Sequence, residues 1–471
     1  MLFNSYEFVL FFAAVLVGYW SLPARWRIYL LLGASYLFYA SWDYRFLSLI
    51  LLSTAIDFAS GLAIHSTDDP RRRRLYLILS MSADLGILGL FKYGNFFIDN
   101  LRALLIQLGV TTDLGTLNLI LPLGISFYTF QAMSYTIDVY RRQVEPSRDI
   151  VTFATFVAFF PHLVAGPIMR FDHLYPQLAN PAAANALWFR RGVFLVLQGY
   201  VKKVVISDNI APVVDEVFGD IGAHNAGQLL EAALLFTCQI YCDFSGYTDI
   251  ARGIAYFLGV ELVPNFRAPL LAASITDFWR RWHISLSQWL RDYLYISLGG
   301  NRLGAWRTYA NLMTTMLLGG LWHGADWKFV TWGGIHGLLL ALERRFRLRT
   351  GPGGREMPGR DSLLTHLLWL VPTQAMVVFA FVFFRAASIG DAWRLITDVV
   401  TTPGLAAVAT ARLGYTVGAI VLLDLPVLLT DDQAWALRIP LAVRVAAYTV
   451  LLLALITLSG QHNQTFIYFA F

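Results

Sequence analysis

Apolar runs long enough to cross a lipid bilayer recur along almost the whole length of this chain. They fall at 7–22, 27–42, 46–64, 75–93, 118–137, 150–168, 187–206, 228–258, 306–322, 328–343, 363–384, 414–430 and 440–459. A helix needs roughly 20 apolar residues to span the hydrocarbon core, and some of these runs are short or carry Pro and Gly. We therefore expect an all-α polytopic membrane protein, with residues 1–471 forming one integral membrane domain. About eleven transmembrane helices plus re-entrant and interfacial helices would account for the runs.

The composition excludes an ordinary soluble protein. Hydrophobic residues make up 57% of the chain and charged residues only 14%, so polar surface is scarce and membrane lipid is the expected surrounding. The net charge of +5 fits basic cytoplasmic loops better than a nucleic-acid surface. Two cysteines, Cys238 and Cys242, are too few for a disulfide framework or a zinc cluster, and we expect them to be buried packing residues.

A histidine lies inside one of the apolar segments. His323 follows Gly319 and Gly320 and precedes Gly324 in the run MLLGGLWHGA. An ionisable side chain at membrane depth is costly and usually faces a cavity or a partner. Small neighbours would let a backbone or an acyl chain approach closely. We favour a catalytic role for His323, with Trp322 binding substrate, over a histidine that only hydrogen-bonds a neighbouring helix.

The segment from 274 to 295 is too polar to cross a membrane comfortably. If it is one amphipathic helix, a single face carries Thr276, Arg280, His283, Ser287 and Arg291. Such a helix lies in the interface or lines a polar funnel. We expect His283 to act with His323, and Trp279, Arg280 and Ser287 to bind substrate. The competing interpretation is that His283 has no catalytic role and lies on the polar face of the helix at little energetic cost.

Carboxylates and hydroxyls interrupt another long apolar run. Asp243, Ser245 and Tyr247 lie close together there, and Asp249 follows. Because such groups are expensive against lipid, we expect the first three to contribute to substrate binding in a channel. Alternatively these carboxylates pair with arginines such as Arg280 and hold the bundle together, which is the favoured interpretation for Asp249.

These residues permit proton transfer by a neutral imidazole. An imidazole can accept a proton from a hydroxyl while the oxygen attacks a thioester or ester carbonyl. The sequence has no Walker motif, no Rossmann glycine pattern, no metal-ligand spacing and no Gly-x-Ser-x-Gly elbow. It therefore favours direct, histidine-assisted acyl transfer, without a bound metal or a tightly bound cofactor.

Several segments resemble the membrane-bound O-acyltransferases, in particular the bacterial branch that contains the membrane subunit of alginate O-acetylation. They are PLGISFYTFQ (122–131), FPHLVAGPI (160–168), DFSGY (243–247), DFWRRWHISLS (277–287) and LWHG (321–324). The resemblance covers nearly the whole chain. It implies a ring of helices in which funnels from both faces meet at the family's histidine, which corresponds to His323. The family's second polar position corresponds to His283.

The same resemblance implies an O-acyltransferase of the bacterial inner membrane. Such an enzyme would take an acyl group from a cytosolic donor, with acetyl-CoA expected, and pass it across the membrane. The acceptor would be an exopolysaccharide such as alginate, reached through a periplasmic partner of the SGNH-hydrolase-like type.

Two alternatives stay open at this point. One is D-alanyl transfer to teichoic acid from a carrier protein, although the preference for Arg over Lys leans away from the low-GC bacteria where that system is common. The other, from a different class, is a secondary transporter or polysaccharide exporter, since interrupted helices and polar residues at the midplane are also transporter features. Against transport, the chain has no apparent inverted repeat and its polar residues concentrate in one region.

Overall fold

Helices dominate the computed structural model, which describes residues 1–110, 113–346, 363–404, 411–459 and 466–467. The α-helices are α1 (Tyr6–Ser21), α2 (Ala24–Asp43), α3 (Leu47–His65), α4 (Pro70–Leu88), α5 (Gly94–Gln107), α6 (Ile125–Tyr140), α7 (Ile150–Ala158), α8 (Phe171–Ala179), α9 (Ala186–Tyr200), α10 (Asp208–Gly219), α11 (Ala226–Phe257), α12 (Ile275–Arg281), α13 (Ile284–Trp289), α14 (Ala305–His323), α15 (Trp327–Arg345), α16 (Leu363–Arg385), α17 (Ile389–Thr401), α18 (Ala411–Thr430) and α19 (Leu441–Leu458). No β-strand occurs within the described ranges, and the all-α architecture is confirmed. The number of spans and the ring with its funnel stay predictions.

Apolar helices identify a multi-pass membrane protein. In the described part of the chain, five helical stretches are long and apolar enough to cross a membrane: Ala24–His65, Pro70–Gln107, Leu364–Arg385, Ala411–Thr430 and Leu441–Leu458. Helix α19 has no buried residue at all, although it consists almost entirely of apolar side chains. An apolar surface of that size requires lipid or another protein to cover it.

Side chains at the helix starts explain several of the boundaries. The carboxylate of Asp69 accepts a hydrogen bond from Arg71 N at 2.9 Å, and Pro70 occupies the first turn of α4. Ser274 Oγ accepts from Asp277 N at 3.0 Å at the start of α12. Each cap satisfies a backbone N–H that has no partner within the helix. Local sequence thus fixes where these helices begin.

The described residues fall into two compact units, one comprising 1–192 and 251–263, the other comprising 193–250 and 264–471. In the first unit, α3, α4 and α6 pack around a buried polar cluster. The hydroxyls of Ser80 and Thr136 donate to Asp57 Oδ1 at 2.6 and 2.8 Å, and Ser53 Oγ donates to Asp84 Oδ1 at 2.9 Å. Buried polar groups need such partners. Whether the whole chain acts as one membrane domain stays a prediction.

The second unit contains a helical hairpin in which glycines allow very close packing. Helices α14 and α15 cross where Gly320 faces Phe329 and Gly333 faces Met316. A Cβ added at either glycine would overlap the carbonyl oxygen of the facing residue. The sequence prediction that small residues near His323 permit close approach is therefore confirmed at Gly320.

Gly320→Ala should consequently destabilise the second unit. Overpacking of this kind costs about 1–3 kcal/mol, and the obstacle here is backbone rather than a flexible side chain. Thermal unfolding of the detergent-solubilised protein measures the effect. Gly418→Ala is the matched control because a Cβ at Gly418, on α18, would meet no atom within 4 Å. Equal unfolding temperatures for the two variants would contradict the close packing.

The prediction of one continuous amphipathic helix from 274 to 295 is wrong. The segment forms α12 and α13 with a break at His283, whose φ of 42° is left-handed, and continues as a π-helical turn over Leu290–Tyr295. Asn265 O accepts from Ile284 N at 2.9 Å, and Asn265 Oδ1 accepts from Ser285 N at 3.1 Å. The helix is interrupted because these N–H groups bond to Asn265 instead of to the preceding turn.

Candidate active site

A cavity of about 500 Å³ in the second unit is lined by residues of α12 to α15. His323, the last residue of α14, lies on its wall and is only 3% exposed. Gly319 and Met316, one turn and two turns earlier on α14, line it as well. The cavity is of the size that small-molecule sites commonly have. His323 is therefore both buried and accessible to a bound molecule.

Aromatic rings enclose His323 on several sides. Its ring centroid lies 5.0 Å from that of Trp322, 5.1 Å from that of Trp332 and 5.5 Å from that of Phe384. All three contacts are edge-to-face, the arrangement that aromatic rings prefer. The imidazole is held in one orientation by rigid neighbours. Trp332 and Phe384 were not found by sequence reasoning, because nothing local in the chain places them next to His323.

The two histidines proposed to act together do lie together. The ring of His283 is 6.1 Å from that of His323 and 5.7 Å from that of Trp322. His283 is fully buried, and the ring of Phe244 on α11 packs edge-on against it at 4.7 Å. It is not among the described residues that line the cavity. The catalytic roles of His283 and His323 stay predictions.

The proposed substrate-binding residues separate into two groups. Trp279, Arg280 and Ser287 line the cavity together with His323. The remaining four, Trp322, Asp243, Ser245 and Tyr247, are buried but are not among its described lining residues. Trp322 contacts both histidines, whereas the other three lie on α11 around Phe244. Their roles in substrate binding stay predictions.

A buried ion network anchors this part of α11. Lys203 Nζ lies 2.7 Å from both Asp208 Oδ1 and Asp243 Oδ1. Lys202 Nζ lies 2.9 Å from Asp249 Oδ2. The prediction that Asp249 is paired with a cation is confirmed, but the partner is Lys202 and not an arginine such as Arg280. The signal in the sequence was the Lys202–Lys203 pair within an otherwise apolar run.

Residues near the end of the chain pack on the same surface of α11. Ile467 N donates to Asp243 Oδ2 at 2.6 Å. The ring of Phe466 stacks on that of Tyr247 at 4.6 Å and contacts that of Phe244 at 5.8 Å. Asp243 and Tyr247 therefore hold the Phe466–Ile467 segment, and residues 468–471 lie outside the described residues.

Arginines give the cavity a positive character. Arg280, Arg291 and Arg344 all line it, and no Asp or Glu is among its described lining residues. The carboxylate of Asp292 is 2.6 Å from Arg291 Nε, and this contact raises the pKa of the Arg291 guanidinium above its usual value. Guanidinium groups bind phosphate and carboxylate in bidentate fashion. The cavity thus combines a basic wall with a buried imidazole.

The described residues contain no group of three or more His, Cys, Asp or Glu side chains placed to hold a metal ion. Cys238 and Cys242 are both buried and unbridged, as their interpretation as packing residues requires. The functional groups assembled here are imidazole, guanidinium and hydroxyl. They suit proton transfer and anion binding.

A buried histidine on the wall of a cavity defines a candidate active site in this multi-pass helical protein, and comparisons with known proteins identify its class. The model of the membrane-bound O-acyltransferase family matches residues 142–371. The probable alginate O-acetylase AlgI of Azotobacter vinelandii is 44% identical over 397 residues, covering 84% of this chain and 77% of that protein. The chain belongs to the membrane-bound O-acyltransferase family.

Two further relatives are named for different activities. The peptidoglycan O-acetyltransferase of Helicobacter pylori is 36% identical over 438 residues, covering 86% of this chain and 81% of that protein. The teichoic acid D-alanyltransferase of Bacillus subtilis is 27% identical over 284 residues, covering 57% and 69% respectively. The chain is thus more similar to these O-acetylating relatives than to this D-alanylating one.

Proposed function

We propose that this protein O-acetylates a cell-surface polysaccharide. It takes an acetyl group from acetyl-CoA on the cytosolic side and passes it across the bacterial inner membrane toward an exopolysaccharide such as alginate. A periplasmic partner of the SGNH-hydrolase-like type completes the transfer. In this proposal about eleven transmembrane helices form a ring around a funnel that leads to His323. The observation that carries the proposal is His323 on the wall of the cavity with His283 beside it.

His323 would act as general base and then as general acid. A ring nitrogen of His323 takes the proton from the attacking hydroxyl group. At the same time the oxygen of that hydroxyl forms a bond to the carbonyl carbon of the acetyl group. The carbon–sulfur bond of the thioester then breaks, and the imidazolium returns the proton to the thiolate. The hydroxyl is acetylated and free thiol is released, so atoms and charge balance. His283, whose ring lies 6.1 Å from that of His323 and is not among the described lining residues of the cavity, would act through His323 rather than on the acetyl group itself.

The basic wall of the cavity supports coenzyme A as the carrier of the acetyl group. Arg280, Arg291 and Arg344 supply three guanidinium groups, which suit a nucleotide carrying several phosphates. A phosphopantetheine arm on a carrier protein has one phosphodiester. The apolar wall near Met316 and Gly319 would hold the uncharged part of the pantetheine arm.

Two measurements test the proposal. Mass analysis of the surface polymer from cells with and without this chain should show acetyl groups only when it is present. Membrane vesicles containing the full chain and the polymer-modifying partner should transfer label from radioactive acetyl-CoA to the polymer. Unchanged polymer acetylation in the absence of the chain would contradict the proposal.

D-alanyl transfer is the alternative favoured by one relative. Vesicles supplied with a D-alanylated carrier protein instead of acetyl-CoA would transfer D-alanine if it were correct. If D-alanine were transferred in place of acetyl, the donor would be the carrier protein and the acceptor would be teichoic acid. The proposed role of His323 would be unchanged. Flux of an intact solute that is independent of His323 would point to transport.

A further inference from the structure

Two tryptophans form a connected wall beside His323. Trp332 lines the cavity and presents its ring edge-to-face to His323, with centroids 5.1 Å apart. Trp279 lines the cavity too and contacts Trp332 at 5.7 Å. Behind both lies a third histidine, His336 on α15, which is fully buried and not among the described lining residues. His336 contacts the wall without contacting the cavity.

His336 holds each tryptophan by a different contact. Trp279 Nε1 donates a hydrogen bond to His336 Nδ1 at 3.3 Å. The His336 ring packs edge-on against Trp332 at 5.0 Å and lies parallel to Phe278 at 5.9 Å. The indole N–H of Trp279 is partly buried and finds its acceptor in His336, so this bond favours one orientation of the Trp279 ring. The ring contact restricts Trp332 in the same way.

One wall of the cavity beside His323 is therefore formed by rings that are held in place. Of the three rings that surround the imidazole at 5.0 to 5.5 Å, Trp332 lines the cavity, whereas Trp322 and Phe384 are not among its described lining residues. An acyl group held in the cavity beside His323 would therefore meet Trp332 and its neighbour Trp279. We expect a two-carbon group to fit beside these two rings as they stand, and a longer chain to require one of them to turn. Closely packed walls discriminate between acyl groups in this way, methylene by methylene.

We propose that His336 is a positioning residue that holds Trp279 and Trp332 in place and so restricts the transferred group to a short acyl chain. The inference rests on the proposed acyl transfer at His323. His336 would thus determine which acyl chain length is accepted without contacting the acyl donor itself. Selectivity would then depend on the hydrogen bond between His336 and Trp279.

Acyl selectivity of two His336 variants tests this proposal. His336→Phe keeps an aromatic ring but removes the acceptor, and His336→Asn keeps an acceptor atom near the position of Nδ1. Vesicles containing the full chain are given butyryl-CoA or acetyl-CoA, and the ratio of butyryl to acetyl transfer is measured. This ratio does not depend on how much of the variant folds. We expect His336→Phe to raise it about tenfold and His336→Asn to keep it within about twofold of wild type.

A second variant keeps the test decisive. Trp279→Phe removes the donor of the same hydrogen bond and also shrinks a ring of the cavity wall, so it should raise the ratio at least as much. Combining it with His336→Phe should raise the ratio by less than the product of the two single effects, because the two changes share one interaction. Normal acetyl transfer with an unchanged ratio in either single variant, or fully additive effects, would overturn this inference alone. Absence of acetyl transfer by the wild-type chain would overturn the proposed function and this inference with it.

Discussion

His323→Ala is expected to abolish acyl transfer while the protein still inserts and folds. Loss of a general acid–base residue lowers the rate by about a hundredfold to ten-thousandfold, and we expect the upper end because one residue serves as base and then acid. Label transfer from radioactive acetyl-CoA in vesicles measures the effect. His323→Gln, which retains most of the volume among the surrounding rings, should be inactive as well. Its thermal unfolding should stay close to that of wild type.

The control for this experiment is a histidine outside the cavity. His65, at the end of α3, is 46% exposed in its side chain and lies 3.4 Å from Glu145. His65→Ala should change the transfer rate by no more than about twofold, because His65 is a surface residue that is not among the lining residues of the cavity. Full transfer by His323→Ala in correctly inserted protein would show that no proton passes through this imidazole.

The helices were predictable because their signals are local. The apolar run 414–430 corresponds to α18 (Ala411–Thr430) and the run 440–459 to α19 (Leu441–Leu458), and both helices are long and apolar enough to cross a membrane. Length and hydrophobicity decide whether a segment forms a membrane helix. Neither property requires knowledge of a neighbour. His323 was selected by a local signal as well, because an ionisable residue in an apolar run is costly, and its catalytic role stays a prediction.

The break at His283 was not predictable for the opposite reason. It depends on Asn265, eighteen residues earlier in the sequence, whose carbonyl and side chain take the N–H groups at the start of α13. A periodic pattern cannot reveal a competing acceptor from another segment. The consequence matters for the site, since the break lets the His283 ring lie 6.1 Å from that of His323.

The Lys202–Lys203 pair was visible in the sequence, but the carboxylate that each lysine meets was not predictable. Acidic side chains in an apolar run need cationic partners, because an unpaired charge is costly there. Arg280 was the partner considered for Asp249. The structure places Arg280 on the cavity wall and Lys202 beside Asp249. Which charge meets which depends on the register between α9 and α11 and on the π-helical turn Val201–Ser207. No local pattern encodes that register.

Lys203→Met should strongly destabilise the second unit. The substitution keeps an unbranched side chain but removes the cation 2.7 Å from Asp208 and Asp243, all three side chains being less than a tenth exposed. Two carboxylates would then share an apolar environment with no positive charge between them. Breaking a buried ion pair in this way costs about 3–5 kcal/mol. We expect a large drop in the unfolding temperature of the detergent-solubilised protein.

Two comparisons separate this effect from general sensitivity to mutation. Asp215→Asn weakens the partly exposed Arg385–Asp215 pair and should cost no more than about 1 kcal/mol. Adding Asp208→Asn and Asp243→Asn to Lys203→Met should recover much of the loss, because neutral amides need no counter-charge. If Lys203→Met unfolds like wild type, the lysine does not hold these carboxylates. If instead it destabilises as expected, acyl transfer should fall as well, since Phe244, adjacent to Asp243, packs against His283.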